Sequence, residues 1–299
     1  MALSLIIIAL TAIIECLLMT QVNKYSYKSN YVKSHADDIE CLLLGNSHIE
    51  EALIPDSMGI GIFNMAMSGR PLLYDVALAQ MHVPNMKNLK VLVVPYDYAL
   101  FYLGRERDNE TVDQQALLST IKCMNYKYMG LRVDGFWYWS EVLNSSDRLT
   151  SRFITRNEDL IECDSLGYIQ LKLSNRVSNW KQNHLPAKID ITKKKDPMLY
   201  EKLNNELCSL AELTKTYHVR LVLLSTPMYR TYRKLMNKTL LNEMNSYINK
   251  LQSKFPHIEY YNFTFDDRFF DDDFNDASHL SDIGASKFSS IVKNEILMK

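Results

Sequence analysis

Ile39-Glu40-Cys41-Leu42-Leu43-Leu44-Gly45-Asn46-Ser47-His48 is an apolar run that stops at a glycine and delivers a serine to the start of the following segment. Short continuous apolar runs of this kind read as strands buried on both faces. Four more occur, at Gly61 to Met65, Lys90 to Pro95, Val219 to Ser225 and Ile258 to Asn262. Segments with helical spacing lie among them, at Pro71 to Met86, Met198 to Tyr217, Arg233 to Lys254 and Ser281 to Leu297. The alternation predicts an α/β fold, a three-layer α/β/α sandwich around a five-stranded parallel sheet. A serine at such a strand-to-helix turn opens onto the carboxyl edge of the sheet, where open α/β folds build their sites. Taken alone, a serine there reads more simply as a helix N-cap.

Composition sets the outer bounds. The 299 residues are 47% hydrophobic, with only 9 glycines and 8 prolines, so collagen-like, low-complexity and wholly disordered chains are excluded. Lys plus Arg (34) nearly balance Asp plus Glu (35), leaving a net charge of -1 and no electrostatic footprint for nucleic acid. The five cysteines, Cys16, Cys41, Cys123, Cys163 and Cys208, form no C-x-x-C pair and suggest no zinc site.

Ala2 to Met19 is apolar apart from Glu15 and Thr11, Ser4 and Cys16, and its 18 residues approach the span of a hydrocarbon core of roughly 30 Å. With no basic start and no A-x-A-like site, it reads as an uncleaved transmembrane helix over residues 1–22 rather than a signal peptide. Lys24, Lys28 and Lys33 follow it, and by the positive-inside rule would hold the main domain in the cytoplasm. Residues 23–37 are polar and aperiodic, as in a linker. The main domain is then 38–299, with a largely helical insertion at about 101–196 that breaks the alternation and carries Trp137, Trp139 and Trp180. The Phe136 to Trp139 run suits either a stacking platform for carbohydrate or the core of the insertion.

The second chemical motif is Phe274-Asn275-Asp276-Ala277-Ser278-His279-Leu280, just before the last helix. A carboxylate three residues before a histidine in a turn can accept the imidazole Nδ1–H, leaving Nε2 as a base. A serine hydroxyl needs such a base to become a nucleophile at neutral pH. The acidic run Asp271 to Asp273 lacks the glycine that a calcium loop needs and reads as a solvated turn.

In this order and context, the two motifs resemble those of the SGNH hydrolases, also called GDSL-like esterases. The resemblance implies Ser47 as nucleophile and a D-x-x-H pair in Asp276 and His279. Phe63-Asn64-Met65-Ala66-Met67-Ser68-Gly69 matches the family's second block, which implies that the N–H groups of Ser47 and Gly69 form the oxyanion hole. The family's third-block asparagine has no counterpart in Val91-Leu92-Val93-Val94-Pro95-Tyr96-Asp97-Tyr98. His48 is either a helix-surface residue or part of the pocket lining, and Tyr229 and Arg230, after the fourth strand, are candidates for substrate contact. His35, His82, His184, His218 and His257 show no partner spacing.

The chain looks like the membrane-anchored branch that modifies surface polymers, similar to alginate O-acetyltransferases and D-alanine transfer proteins. That likeness implies a single-pass membrane protein with an extracytoplasmic domain, a glycan or other acyl-ester substrate, and a membrane acyl-transfer partner. No cofactor and no metal is expected. Esterase and O-acyltransferase are not separated by the sequence, and the missing asparagine leaves a non-catalytic glycan-binding or scaffolding domain as the alternative.

Overall fold

The computed structural model describes residues 2–19, 22–101, 124, 140, 161–186 and 197–299. They fall into two compact units, one of Met1–Asn30 with Asp113–Glu162, the other of Tyr31–Val112 with Cys163–Lys299. The Phe136 to Trp139 run, Cys123 and most of the expected insertion lie outside the described residues.

In the smaller unit, α1 (Ala2–Met19) is an 18-residue helix. Leu5, Ile6, Ile8 and Ile13 on it are each more than half exposed, and its single carboxylate, Glu15, accepts a hydrogen bond from Ser140 Oγ at 2.8 Å. Its 18 residues rise about 27 Å, short of the roughly 30 Å hydrocarbon core. Among the described residues no helix is long and apolar enough to cross a membrane. The expected linker is largely a second helix, α2 (Lys24–Ser34). Asn23 explains the difference, since its Oδ1 accepts the N–H groups of Tyr25 and Ser26 at 2.9 and 3.0 Å and so caps a helix that has little apolar periodicity.

The larger unit is built on five parallel strands, β1 (Cys41–Leu43), β2 (Ile62–Asn64), β3 (Val91–Pro95), β4 (Arg220–Ser225) and β5 (Ile258–Asn262). Their order is β2-β1-β3-β4-β5. All five expected strands are present, the first four slightly shorter than their apolar runs and the fifth with the same bounds. Leu42, Leu43, Leu92, Val93, Val94, Leu221, Leu223 and Leu224 are fully buried, as continuous apolar strands require when helices cover both faces. The edge strand β5 is half-buried beyond Ile258.

The helices are α3 (Ser47–Glu50), α4 (Pro55–Met58), α5 (Leu72–His82), α6 (Pro197–Thr216), α7 (Arg230–Leu235), α8 (Lys238–Lys254) and α9 (Asp282–Val292). α5 packs on α6, and α9 on α4. The single helix expected over Arg233 to Lys254 is divided at Met236 and Asn237, where Asn237 Oδ1 accepts from the N–H groups of Thr239 and Leu240 and starts α8 afresh.

In this strand order the chain leaves β1 toward one edge of the sheet, and the next strand laid down on its other side is β3. A crevice opens where the order reverses, outside the carboxyl ends of β1 and β3. Ser47 follows β1 and Asp97 follows β3, so the sheet delivers both to that crevice.

Candidate active site

Gly45 makes the turn out of β1 with φ +131, in the left-handed range that favours glycine, and a Cβ there would stand 2.5 Å from Pro95 Cδ. Its N–H donates to Asp75 Oδ1 at 3.0 Å, and that oxygen also pairs with the buried Arg70 guanidinium at 2.7 Å. Asn46 caps α3 by accepting the His48 N–H at 3.0 Å. At the other end of α3, the buried Asn64 amide donates to the carbonyls of Ile49, Glu50 and Leu53 at 3.1 to 3.3 Å. One end of the serine-bearing turn is therefore held by its own Asn46 side chain and the other by Asn64 of β2.

Ser47 Oγ lies 2.9 Å from His279 Nε2, across 232 positions of sequence. On the other side of the ring, Nδ1 lies 3.0 and 2.9 Å from Asp276 Oδ1 and Oδ2. Asp276 Oδ1 also accepts the N–H groups of Ser278 and His279 at 2.8 and 2.9 Å, which fixes the carboxylate in its own turn. The structure thus brings together the three residues that the motifs single out.

Electrostatics favour a charged Asp276 and a basic His279. Burial pushes Asp276 up, but the hydrogen bond and charge of His279 and the Ser278 N–H outweigh it and hold the carboxyl below its ordinary value. Burial likewise pushes His279 down, yet the Asp276 hydrogen bond and the charges of Glu51, Asp276 and Asp97 leave it above the usual histidine value.

Gly69 has φ +72, and among the described residues a Cβ there would meet nothing within 4 Å. Its block is tied to the serine turn by Met67 N–H on Gly45 O at 2.8 Å and by Ser68 N–H on Glu50 Oε2 at 2.6 Å.

His48 is not a helix-surface residue. It is buried, its Nδ1 lies 2.7 Å from Asp97 Oδ2, and its ring lies 5.1 Å from that of His279. Asn46 Nδ2 donates to the same Asp97 oxygen at 3.3 Å. Burial raises Asp97, but His48, Asn46 and the Leu100 N–H together hold it below the carboxylate norm.

Tyr229 and Arg230, expected as substrate contacts, both pack onto the segment around Asp271. The Tyr229 ring is buried between Trp180 and Phe274, its hydroxyl donates to Asp271 Oδ1 at 2.8 Å, and its N–H donates to Ala277 O at 3.0 Å. Arg230 turns onto Tyr229 and Asp271. Both brace the loop that carries Asp276. The Asp271 to Asp273 run is not simply solvated either, because Lys181 and Lys287 bind its carboxylates.

Three residues at the site carry no motif. Glu51 Oε2 lies 3.8 Å from His279 Nε2, and burial pushes its carboxyl above the usual range. Asp97 follows β3, the strand whose end lacks the third-block asparagine. His184 lies 3.9 Å from Asp276 Oδ2. Glu51 alone had a local signal, because its i, i+4 spacing from Ser47 places the two on one helical face.

No protein-family model matches the chain, and no curated protein does. Among solved structures, a GDSL-like lipase from Bacteroides thetaiotaomicron is 11% identical with a TM-score of 0.43, over 92% of this chain and 98% of that one. A protein from Bacteroides fragilis, provisionally named an acylhydrolase, is 10% identical with a TM-score of 0.40, over 92% and 100%. Likenesses this slight carry no argument about activity or substrate. The approach of Ser47 to His279 is the one that the resemblance of the two sequence motifs to the SGNH, or GDSL-like, hydrolases implies.

Proposed function

We propose that the protein is a membrane-anchored serine esterase or O-acyltransferase acting on small acyl esters of a surface glycan. The observation that carries this reading is the 2.9 Å approach of Ser47 Oγ to an imidazole whose other nitrogen is held by Asp276. Ser47 Oγ attacks the ester carbonyl carbon while its proton passes to His279 Nε2. The carbonyl oxygen becomes an oxyanion, stabilised by the N–H groups of Ser47 and Gly69, each such donor contributing about 3 to 4 kcal/mol. Collapse breaks the bond to the alcohol oxygen, which takes the proton from His279 and departs, leaving an acyl ester on Ser47. Water, or a sugar hydroxyl in the transferase case, then attacks that ester by the reverse proton path.

Support for the anchor comes from the exposed apolar side chains of α1. A hydrophobic stretch a few ångströms short of the hydrocarbon core is accommodated by local thinning of the bilayer. The extracytoplasmic placement and the glycan acceptor rest on the resemblance to polymer-modifying proteins, as does a membrane partner that supplies the acyl group.

Hydrolysis of a chromogenic acetate ester by the full chain in detergent tests the chemistry. Ser47→Ala and His279→Ala are each expected to lower kcat by a factor of about a thousand or more. Turnover that survives both substitutions would exclude the mechanism.

A further inference from the structure

His184 takes no part in the proposed reaction, yet it is built into its edge. It has φ 51, a left-handed conformation uncommon for residues with a Cβ. The preceding residue, Asn183, accepts the Ala277 N–H through its carbonyl, which fixes the turn against the loop bearing Asp276 and His279. The His184 ring consequently meets the His279 ring edge-on, with centroids 5.1 Å apart.

The atoms left facing one another form a donor set. Asp276 Oδ2 lies 2.9 Å from His279 Nδ1 and 3.9 Å from His184 Nε2. One ligand atom from each of the three residues lies within 4.8 Å of the others, and no other group of this kind occurs among the described residues. The longer distance exceeds a hydrogen bond. A tetrahedral zinc ion with bonds of about 2.0 to 2.1 Å sets its ligand atoms about 3.3 Å apart, between the two separations. Two imidazoles and one carboxylate suit zinc, whereas magnesium and calcium favour oxygen ligands. The His184 side chain is 65% exposed, so its ring has room to adjust.

We propose that His184, Asp276 and His279 bind a zinc ion that switches the ester chemistry off. In the catalytic state His279 carries its single proton on Nδ1, donated to Asp276, and presents a lone pair at Nε2. When zinc binds, the Nδ1 lone pair goes to the metal, the Asp276 oxygen turns from the ring to the ion, and the proton moves through solvent to Nε2. No lone pair then remains there to accept the Ser47 proton. The switch rests on the ester reading, whereas the binding of zinc does not.

Two measurements on the full chain in detergent separate these claims. Calorimetric titration of zinc chloride into the Ser47→Ala variant is expected to show a zinc site whose affinity falls at least tenfold when His184→Asn is added. Asparagine tolerates the left-handed backbone, so this variant keeps its fold. In the ester assay, saturating zinc is expected to lower wild-type turnover at least tenfold, EDTA to restore it, and magnesium to leave it unchanged. His184→Asn should need at least tenfold more zinc to lose the same fraction of its own zinc-free turnover. Equal zinc affinity with and without His184 would overturn the site, and binding through His184 with unchanged turnover would overturn the switch. If wild type shows no turnover even without zinc, the ester reading fails, and the titration alone decides the site.

Discussion

Glu51 sets a carboxylate oxygen 3.8 Å from the same His279 nitrogen that Ser47 approaches. Its charge is among those that hold His279 above its ordinary value against the opposing effect of burial. In the proposed mechanism the neutral imidazole is the active form, so kcat/KM should fall as pH drops through a value above the usual histidine pKa of about 6.5. Glu51→Gln removes one of the supporting charges and is expected to move this acidic limb to lower pH. A limb that stays in place would show that Glu51 does not act on the ring. Gly45 makes a stability case at the same scale. With φ +131 and Pro95 Cδ only 2.5 Å from where a Cβ would stand, Gly45→Ala should cost about 2 kcal/mol or more, read as a lower urea midpoint. Ser47, Asp276 and His279 were legible in the sequence because each sits in a short local motif. Asp97 and His184 were not, because they reach the site only through the pairing of distant segments.

α9 and the turn before it form the element on which the imidazole depends. Ser281 caps the helix by accepting the Gly284 N–H at 3.2 Å, and its own N–H donates to Asp273 O at 2.9 Å. Ser281→Ala should cost about 1 kcal/mol, measured by urea denaturation, and should lower turnover by loosening the loop that carries His279. Gly284 lies so close to the Asp273 carbonyl that an added Cβ would overlap it, so Gly284→Ala is expected to be the more damaging of the two. At this scale the sequence showed which elements exist better than where they end. The apolar runs of all five strands were visible. The break between α7 and α8 and the helix at Lys24–Ser34 depend on single asparagine caps within polar surroundings, where hydrophobic spacing carries little signal.

Across the larger unit, the five-stranded order places the site where β1 and β3 diverge, and two buried carboxylates there, Asp97 and Asp276, are held below their ordinary values. A depressed folded-state pKa stabilises the protein above the unfolded value of about 3.9, and that contribution is lost as pH falls through the lower folded value. The urea midpoint should accordingly decline in acid below about pH 4, and less steeply in Asp97→Asn. The strand pattern, with its apolar runs, made this architecture readable from sequence. The division into two units was not readable, because it joins Met1–Asn30 with the remote stretch Asp113–Glu162. The 232 positions between Ser47 and His279 have a temporal consequence. In the proposed mechanism a polypeptide that stops short of His279 lacks the imidazole that activates the hydroxyl, so it should be chemically silent. If the proposed chemistry holds, ester turnover would report that synthesis has passed His279 and that its loop has closed onto Ser47.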